Sequence, residues 1–254
     1  MTRLLRVLAL PVVLLGCPSL THAQVTPSSA CADCHFANPG SVSSNHLADF
    51  DSSPHGRRRV GCEKCHGGNA STFERGMAHM GMRAPADPRG PVARVNIPST
   101  CGTCHVGPFV AFQDSRHFAL LRAGNRNVPT CITCHGNVAA RVPSAKAVEG
   151  LCASCHGDRK VAPLPDLARN AGLQIAGLNE VRGLLDQVDA MVARIRDADR
   201  RQRLQAQAQQ ARVPLIEAAD AGHRFVYDML QERLTLVRTR TMALLDELAN
   251  PAAR

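Results

Sequence analysis

The sequence predicts a mostly α and irregular protein: a loop-rich domain over residues 24–160, then a long C-terminal α-helical hairpin over 161–254. Three observations carry this. Cys, His, Gly and Pro are concentrated before residue 160, where little hydrophobic periodicity persists. Beyond it there is no Cys, a single His, and two long apolar stripes at helical spacing. Aromatic residues make up only 3% of the 254, with no Trp and one Tyr, so something other than large rings must fill the core.

The N-terminus reads as an export signal. Arg3 and Arg6 precede nine apolar residues, Val7 to Leu15, too few for the roughly 18 or more of a membrane span. Small residues follow, and Thr21-His22-Ala23 offers a cleavage site before Gln24. Leu14-Leu15-Gly16-Cys17 is the competing exit, a lipobox that would leave Cys17 lipidated on the outside of a membrane. The expected location is the periplasm, with membrane attachment only through Cys17. Residues 1–23 are set aside from the fold.

Within residues 24–160 the pentapeptide C-x-x-C-H occurs five times. The copies are Cys31 to His35 (through Cys34), Cys62 to His66 (Cys65), Cys101 to His105 (Cys104), Cys131 to His135 (Cys134) and Cys152 to His156 (Cys155). Two thiols at this spacing can add across the two vinyl groups of one porphyrin. The next residue's imidazole then lies under the iron as its proximal ligand. Paired C-x-x-C elements also make zinc sites, and disulfides suit an exported protein. Neither requires a His after every second Cys. The cofactor expected is haem c, five copies, covalently held.

Five six-coordinate irons need five further ligands, and five His remain outside the signal: His46, His55, His79, His117 and His223. His55 and His117 recur in one frame. Phe50-Asp-Ser-Ser53-Pro-His55 and Phe112-Gln-Asp-Ser115-Arg-His117 both read F-x-x-S-x-H, and both lead into C-x-x-C-H-G. His79 has rivals in Met77, Met80 and Met82. His46 could be a loop residue, and His223 an ordinary helix residue. Which His would pair with which iron is left open by the sequence.

The charge fits the same reading. Residues 24–160 carry 15 basic and 9 acidic side chains, against 13 and 12 in residues 161–254. Five haems would bring about ten propionates, for which Arg is the preferred planar partner. Nucleic-acid binding has neither motif nor aromatic platform.

The C-terminal part shows a stripe at Leu178, Val181, Leu185, Val188, Val192 and Ile195, and a second at Val226, Leu230, Leu234, Val237, Leu244 and Leu248. Pro214 lies between them. Two antiparallel helices are expected, over about 173–211 and 215–249, packed on each other.

With its five motifs and the F-x-x-S-x-H…C-x-x-C-H-G repeat, the chain resembles the multihaem cytochromes c of bacterial respiration. The likeness is to the group of pentahaem nitrite reductase, octahaem hydroxylamine oxidoreductase and their small electron-donor cytochromes. It departs from that reductase in having no C-x-x-C-K. The resemblance implies a multihaem cytochrome c domain passing electrons along five haems in anaerobic, nitrogen or sulfur respiration. Its redox partner proteins would be a quinol dehydrogenase-type donor or a terminal reductase. An alternative is an oxidoreductase acting on a small nitrogen or sulfur compound at one open haem, with Arg57, Arg58 and Arg59 lining an anion site. A third reading makes the helical part a docking or homo-oligomerisation module that assembles haem chains.

Overall fold

The computed structural model describes residues 29–38, 40, 42–157, 164 and 166–250. The signal segment, Cys17, its cleavage site and the expected boundary near residue 160 lie outside them. Thirteen helices and no strand occur among the described residues, so the chain is mostly α and irregular.

The first ten helices are short. They are α1 (Ala30–Ala37), α2 (Ser44–Ser52), α3 (Pro54–Arg57), α4 (Glu63–His66), α5 (Arg75–Ala78), α6 (Ile97–Gly102), α7 (Val106–Gln113), α8 (Arg116–Arg122), α9 (Cys131–His135) and α10 (Ala145–His156). Three long ones follow: α11 (Leu167–Val192), α12 (Ala198–Arg224) and α13 (Tyr227–Ala249).

This corrects the expected hairpin of 173–211 and 215–249. The break falls at residues 193–197, and Pro214 lies inside α12. Asp197 ends the first turn of chain and starts the next helix: its carboxylate accepts from the Arg200 backbone N–H at 2.7 Å, a helix N-cap. The Arg201 guanidinium donates to the Ile195 carbonyl at 2.8 Å and closes the turn.

Pro214 normally would break a helix, because it lacks an N–H for the carbonyl four residues back. Here that carbonyl, on Gln210, accepts instead from Arg240 Nη1 of α13 at 3.2 Å. The pyrrolidine ring is itself buried against the neighbouring helices. A tertiary contact thus replaces the missing local one.

The three long helices share one core. Leu178, Val181, Leu185, Val188 and Val192 of α11 meet Leu204, Ala208, Ala211, Ala218 and Ala221 of α12 and Leu230, Leu234, Val237 and Leu244 of α13. Both apolar stripes of the sequence are buried, apart from Val226, which is exposed, and Ile195 and Leu248, which are partly buried at the ends. The small side chains of α12 let the axes approach closely. Each fully buried Leu or Val contributes about 1.5–3 kcal/mol. Thr241 is fully buried within this core, and its hydroxyl donates to the Val237 carbonyl at 2.8 Å. Arg212–Asp189 and Arg238–Glu180 pair across the helix surfaces and fix register more than stability.

The most extensive contacts between the bundle and the short-helix region are made by α10 and α7. Helix α10 packs along α11, where a Cβ on Gly172 would lie 3.2 Å from the Glu149 Cβ. Helix α12 packs on α7, with Arg224 Nε 3.5 Å from Asp114 Oδ2.

Candidate metal centres

Every C-x-x-C-H motif lies on or at the end of a helix: α1, α4, α6, α9 or α10. One helical turn puts both thiols on the same face with the His just beyond them. His66 and His105 continue that turn, their N–H groups donating to Cys62 and Cys101 carbonyls at 2.9 Å. None of the ten motif cysteines is joined to another in a disulfide.

The F-x-x-S-x-H frame has a local structural meaning. Ser53 and Ser115 are buried N-caps whose hydroxyls accept from Gly56 N at 2.9 Å and Phe118 N at 3.1 Å. Their own N–H groups donate to Phe50 and Phe112 carbonyls, each at 2.9 Å. This puts His55 and His117 in the first turn of α3 and α8. The Gly closing C-x-x-C-H-G serves as well: Gly67 and Gly136 adopt φ of 77° and 76°, which an L side chain rarely takes.

The ten imidazoles come together as five pairs. His35 faces His79 with ring centroids 6.0 Å apart, His66 faces His46 at 6.1 Å, and His105 faces His55 at 5.9 Å. His156 faces His117 at 6.1 Å, and His135 faces His223 at 6.2 Å. Each pair joins one motif His to one of the five others. A metal bonded to imidazole nitrogen at about 2 Å on both sides would set the centroids about 6 Å apart, so the spacing fits one axial metal per pair. Among the described residues, no three His, Cys, Asp or Glu side chains converge on one point. The donor set therefore matches a planar macrocycle with two axial ligands.

Backbone contacts orient three of these rings. Nδ1 of His79, His135 and His223 contacts the carbonyls of Arg75, Arg141 and Ala219 at 2.8, 2.9 and 2.7 Å. With Nδ1 donating its proton there, Nε2 carries the lone pair. Burial, and then the facing imidazole, lowers the affinity of His55, His66 and His117 for a proton. Burial lowers that of His223 too, with the facing His135 adding to it. Neutral imidazole is the form that binds a metal. The thiols of Cys62, Cys65, Cys134 and Cys152 are held above their ordinary range, chiefly by burial.

The motifs are neighbours in the order of the sequence. Cys62 senses Cys31, and Cys65 senses Cys101 and Cys104. Cys101 and Cys131 influence each other most strongly, which raises the first thiol and lowers the second. Cys134 senses Cys152. Each motif thus lies near the next, from the first to the fifth.

Met77, Met80 and Met82, the rivals of His79, are exposed, and it is His79 that faces a motif His. Arg57, Arg58 and Arg59 are exposed, and the Arg57 guanidinium turns back to donate to the Ser52 carbonyl. Sequence reasoning did not single out Phe225, whose ring centroid lies 4.5 Å from that of His117. No local signal marks it.

Imidazole pairs at this spacing, beside paired thiols, fit the attachment and ligation of c-type haem. Residues 18–67 match the family described as cytochrome c554 and c-prime. The C-type polyheme cytochrome OmcB of Geobacter sulfurreducens is 29% identical over 173 residues, 64% of this chain and 21% of that relative. The C-type polyheme cytochrome OmcC of the same organism is 27% identical over 129 residues, 50% of this chain and 14% of that relative. The matched stretch is thus about a fifth or less of those relatives' length. No solved structure matches. The chain is a multihaem c-type cytochrome. None of the described helices is long and apolar enough to cross a membrane.

Proposed function

We propose that this chain is an exported electron carrier that binds five haems c, one at each C-x-x-C-H motif, every iron held between two imidazoles. The observation that carries the proposal is the set of five opposed His pairs. Haem c supplies reversible one-electron iron chemistry when bound.

The protein's residues do the rest. Cys31 and Cys34, Cys62 and Cys65, Cys101 and Cys104, Cys131 and Cys134, and Cys152 and Cys155 tether the macrocycles. His35, His66, His105, His135 and His156 are the proximal ligands. His79, His46, His55, His223 and His117 are, in that order, their distal partners. A distal imidazole opposite each motif His occupies the position a substrate would need, which favours a carrier over an oxidoreductase acting on a small molecule. Attachment points that adjoin in sequence order favour a continuous path with one end at α1 and the other at α10. The partners of such a path are proteins that give or take single electrons at those ends, in the periplasm.

The test is a haem count by intact mass on the exported protein, with an electron paramagnetic resonance (EPR) spectrum of its oxidised form. Five haems, all low-spin, are expected. A high-spin iron in the intact protein would contradict the ligand set and reopen the enzymatic reading.

A further inference from the structure

The C-terminal end of α12 reaches two of the imidazole pairs at once. His223 faces His135, while two residues on, Phe225 stands edge-on to His117, planes 81° apart and centroids 4.5 Å apart. His117 in turn faces His156 at 6.1 Å. One helix end thus supplies a ring to the fourth pair and touches a ring of the fifth.

Phe225 is held in that place by backbone of an unusual kind. It caps α12 in the left-handed conformation, φ 61° and ψ 38°. A bulky residue seldom adopts this conformation, and it persists only where the surroundings determine it. Its N–H donates to the Gly222 carbonyl, and Val226 N–H to the Ala221 carbonyl, each at 3.1 Å. Phe112, buried on α7, meets the Phe225 ring edge-on at 6.3 Å and meets Phe118 at 5.6 Å. Arg224 and Asp114 bring the same helix end onto α7. In a chain with seven Phe, four (109, 112, 118 and 225) form one run of ring contacts, and its end is His117.

We propose that Phe225 is the positioning residue for His117: its ring edge fixes the rotation of the imidazole plane opposite His156. An axial imidazole can turn about its metal bond within the range its own side-chain torsions allow, and neighbouring groups select the angle. Among the described residues, His117 has no Nδ1–carbonyl contact of the kind that orients His79, His135 and His223. Phe225 takes that role from the other end of the chain, so docking of the helical bundle sets the geometry of the fifth site while providing the distal ligand of the fourth.

The inference rests on the ligand set proposed above, and the experiment separates the two. The holoprotein is prepared as wild type, His117→Ala, Phe225→Leu, Phe225→Asn and Phe225→Tyr, and the oxidised EPR spectra are compared. Leu keeps bulk without a flat edge, Asn tolerates the left-handed backbone without a ring, and Tyr keeps the ring. His117→Ala identifies the component of the fifth site by removing it. Phe225→Leu and Phe225→Asn are expected to shift or broaden that component alone, and Phe225→Tyr to leave it in place. Unchanged spectra in both the Leu and Asn proteins would overturn the inference and leave the ligand set standing. So would changes spread over all components, which a merely structural role produces. A wild-type protein without five low-spin irons would overturn the ligand set, and this inference with it.

Discussion

His223, on α12, lies with its imidazole plane 13° from that of His135, in the fourth C-x-x-C-H motif, the centroids 6.2 Å apart. The two residues come from opposite parts of the chain. The other four pairs cross at 55° to 88°. The C-terminal end of α12 therefore brings an imidazole against a motif of the short-helix region.

Replacing His223 by Ala is expected to leave five haems attached, because the thiols are untouched, and to turn one iron high-spin. The relative angle of two axial imidazole planes sets the splitting of the iron orbitals between them, so near-parallel planes give a rhombic low-spin signal. The signal lost from His223→Ala should be that rhombic one. EPR of the oxidised variant checks both points, and an all-low-spin spectrum would sink the assignment.

Pro214 offers a test of the bundle. Pro in a helix interior costs about 3 kcal/mol relative to Ala, and removing its buried ring gives part of that back. Pro214→Ala is expected to stabilise the bundle by roughly 1–2 kcal/mol. In the Pro214→Ala background, Arg240→Ala should cost less than in the wild type, because the Gln210 carbonyl regains a helical donor. Urea unfolding of the four proteins of this double-mutant cycle measures the coupling. Strictly additive effects would contradict the account of how α12 tolerates proline.

Leu185 is 1% exposed at the centre of the three-helix core. Leu185→Ala should lower the stability of the bundle by about 2–5 kcal/mol. Helical ellipticity followed through chemical unfolding checks this. A loss under about 1 kcal/mol would mean that the three helices do not share one core.

The Asp87 carboxyl is held down near 2, against an ordinary 3.8. The Arg89 side chain is the main cause, then the Arg89 backbone N–H at 2.9 Å, with Arg83 Nη1 at 3.0 Å adding to them. A depressed carboxyl stabilises the folded turn above its unfolded value and loses that contribution as pH falls through the folded one. Protection of the Arg89 amide against hydrogen exchange, measured relative to the unfolded chain at the same pH, should therefore hold at mildly acid pH and fall as pH drops toward about 2. Asp87→Asn should remove that acid dependence. Equal pH profiles in the two proteins would refute the assignment.

Much of the site could be read directly, because a covalent attachment motif is local. The repeated frame at His55 and His117 was equally legible, and its reason is now visible in the capping of Ser53 and Ser115. The pairing was not. His55 precedes the second motif yet faces His105 of the third, and His79 follows the second yet faces His35 of the first. Such choices depend on how several short helices wind around one another, which no spacing encodes. The helical part shows the same limit. Its Leu and Val stripes mark α11 and α13, but the α12 seam is mostly Ala, which looks the same at a core position as on a surface. Pro214 read as a break because the rescue of Gln210 comes from Arg240, on another helix.

The most direct test of the central claim is the oxidised EPR spectrum of holoprotein whose intact mass shows five haems. The account predicts low-spin iron only, one component rhombic and four from crossed imidazole planes. A high-spin component amounting to one haem would contradict it, since one of the five His pairs would then not hold a metal from both sides.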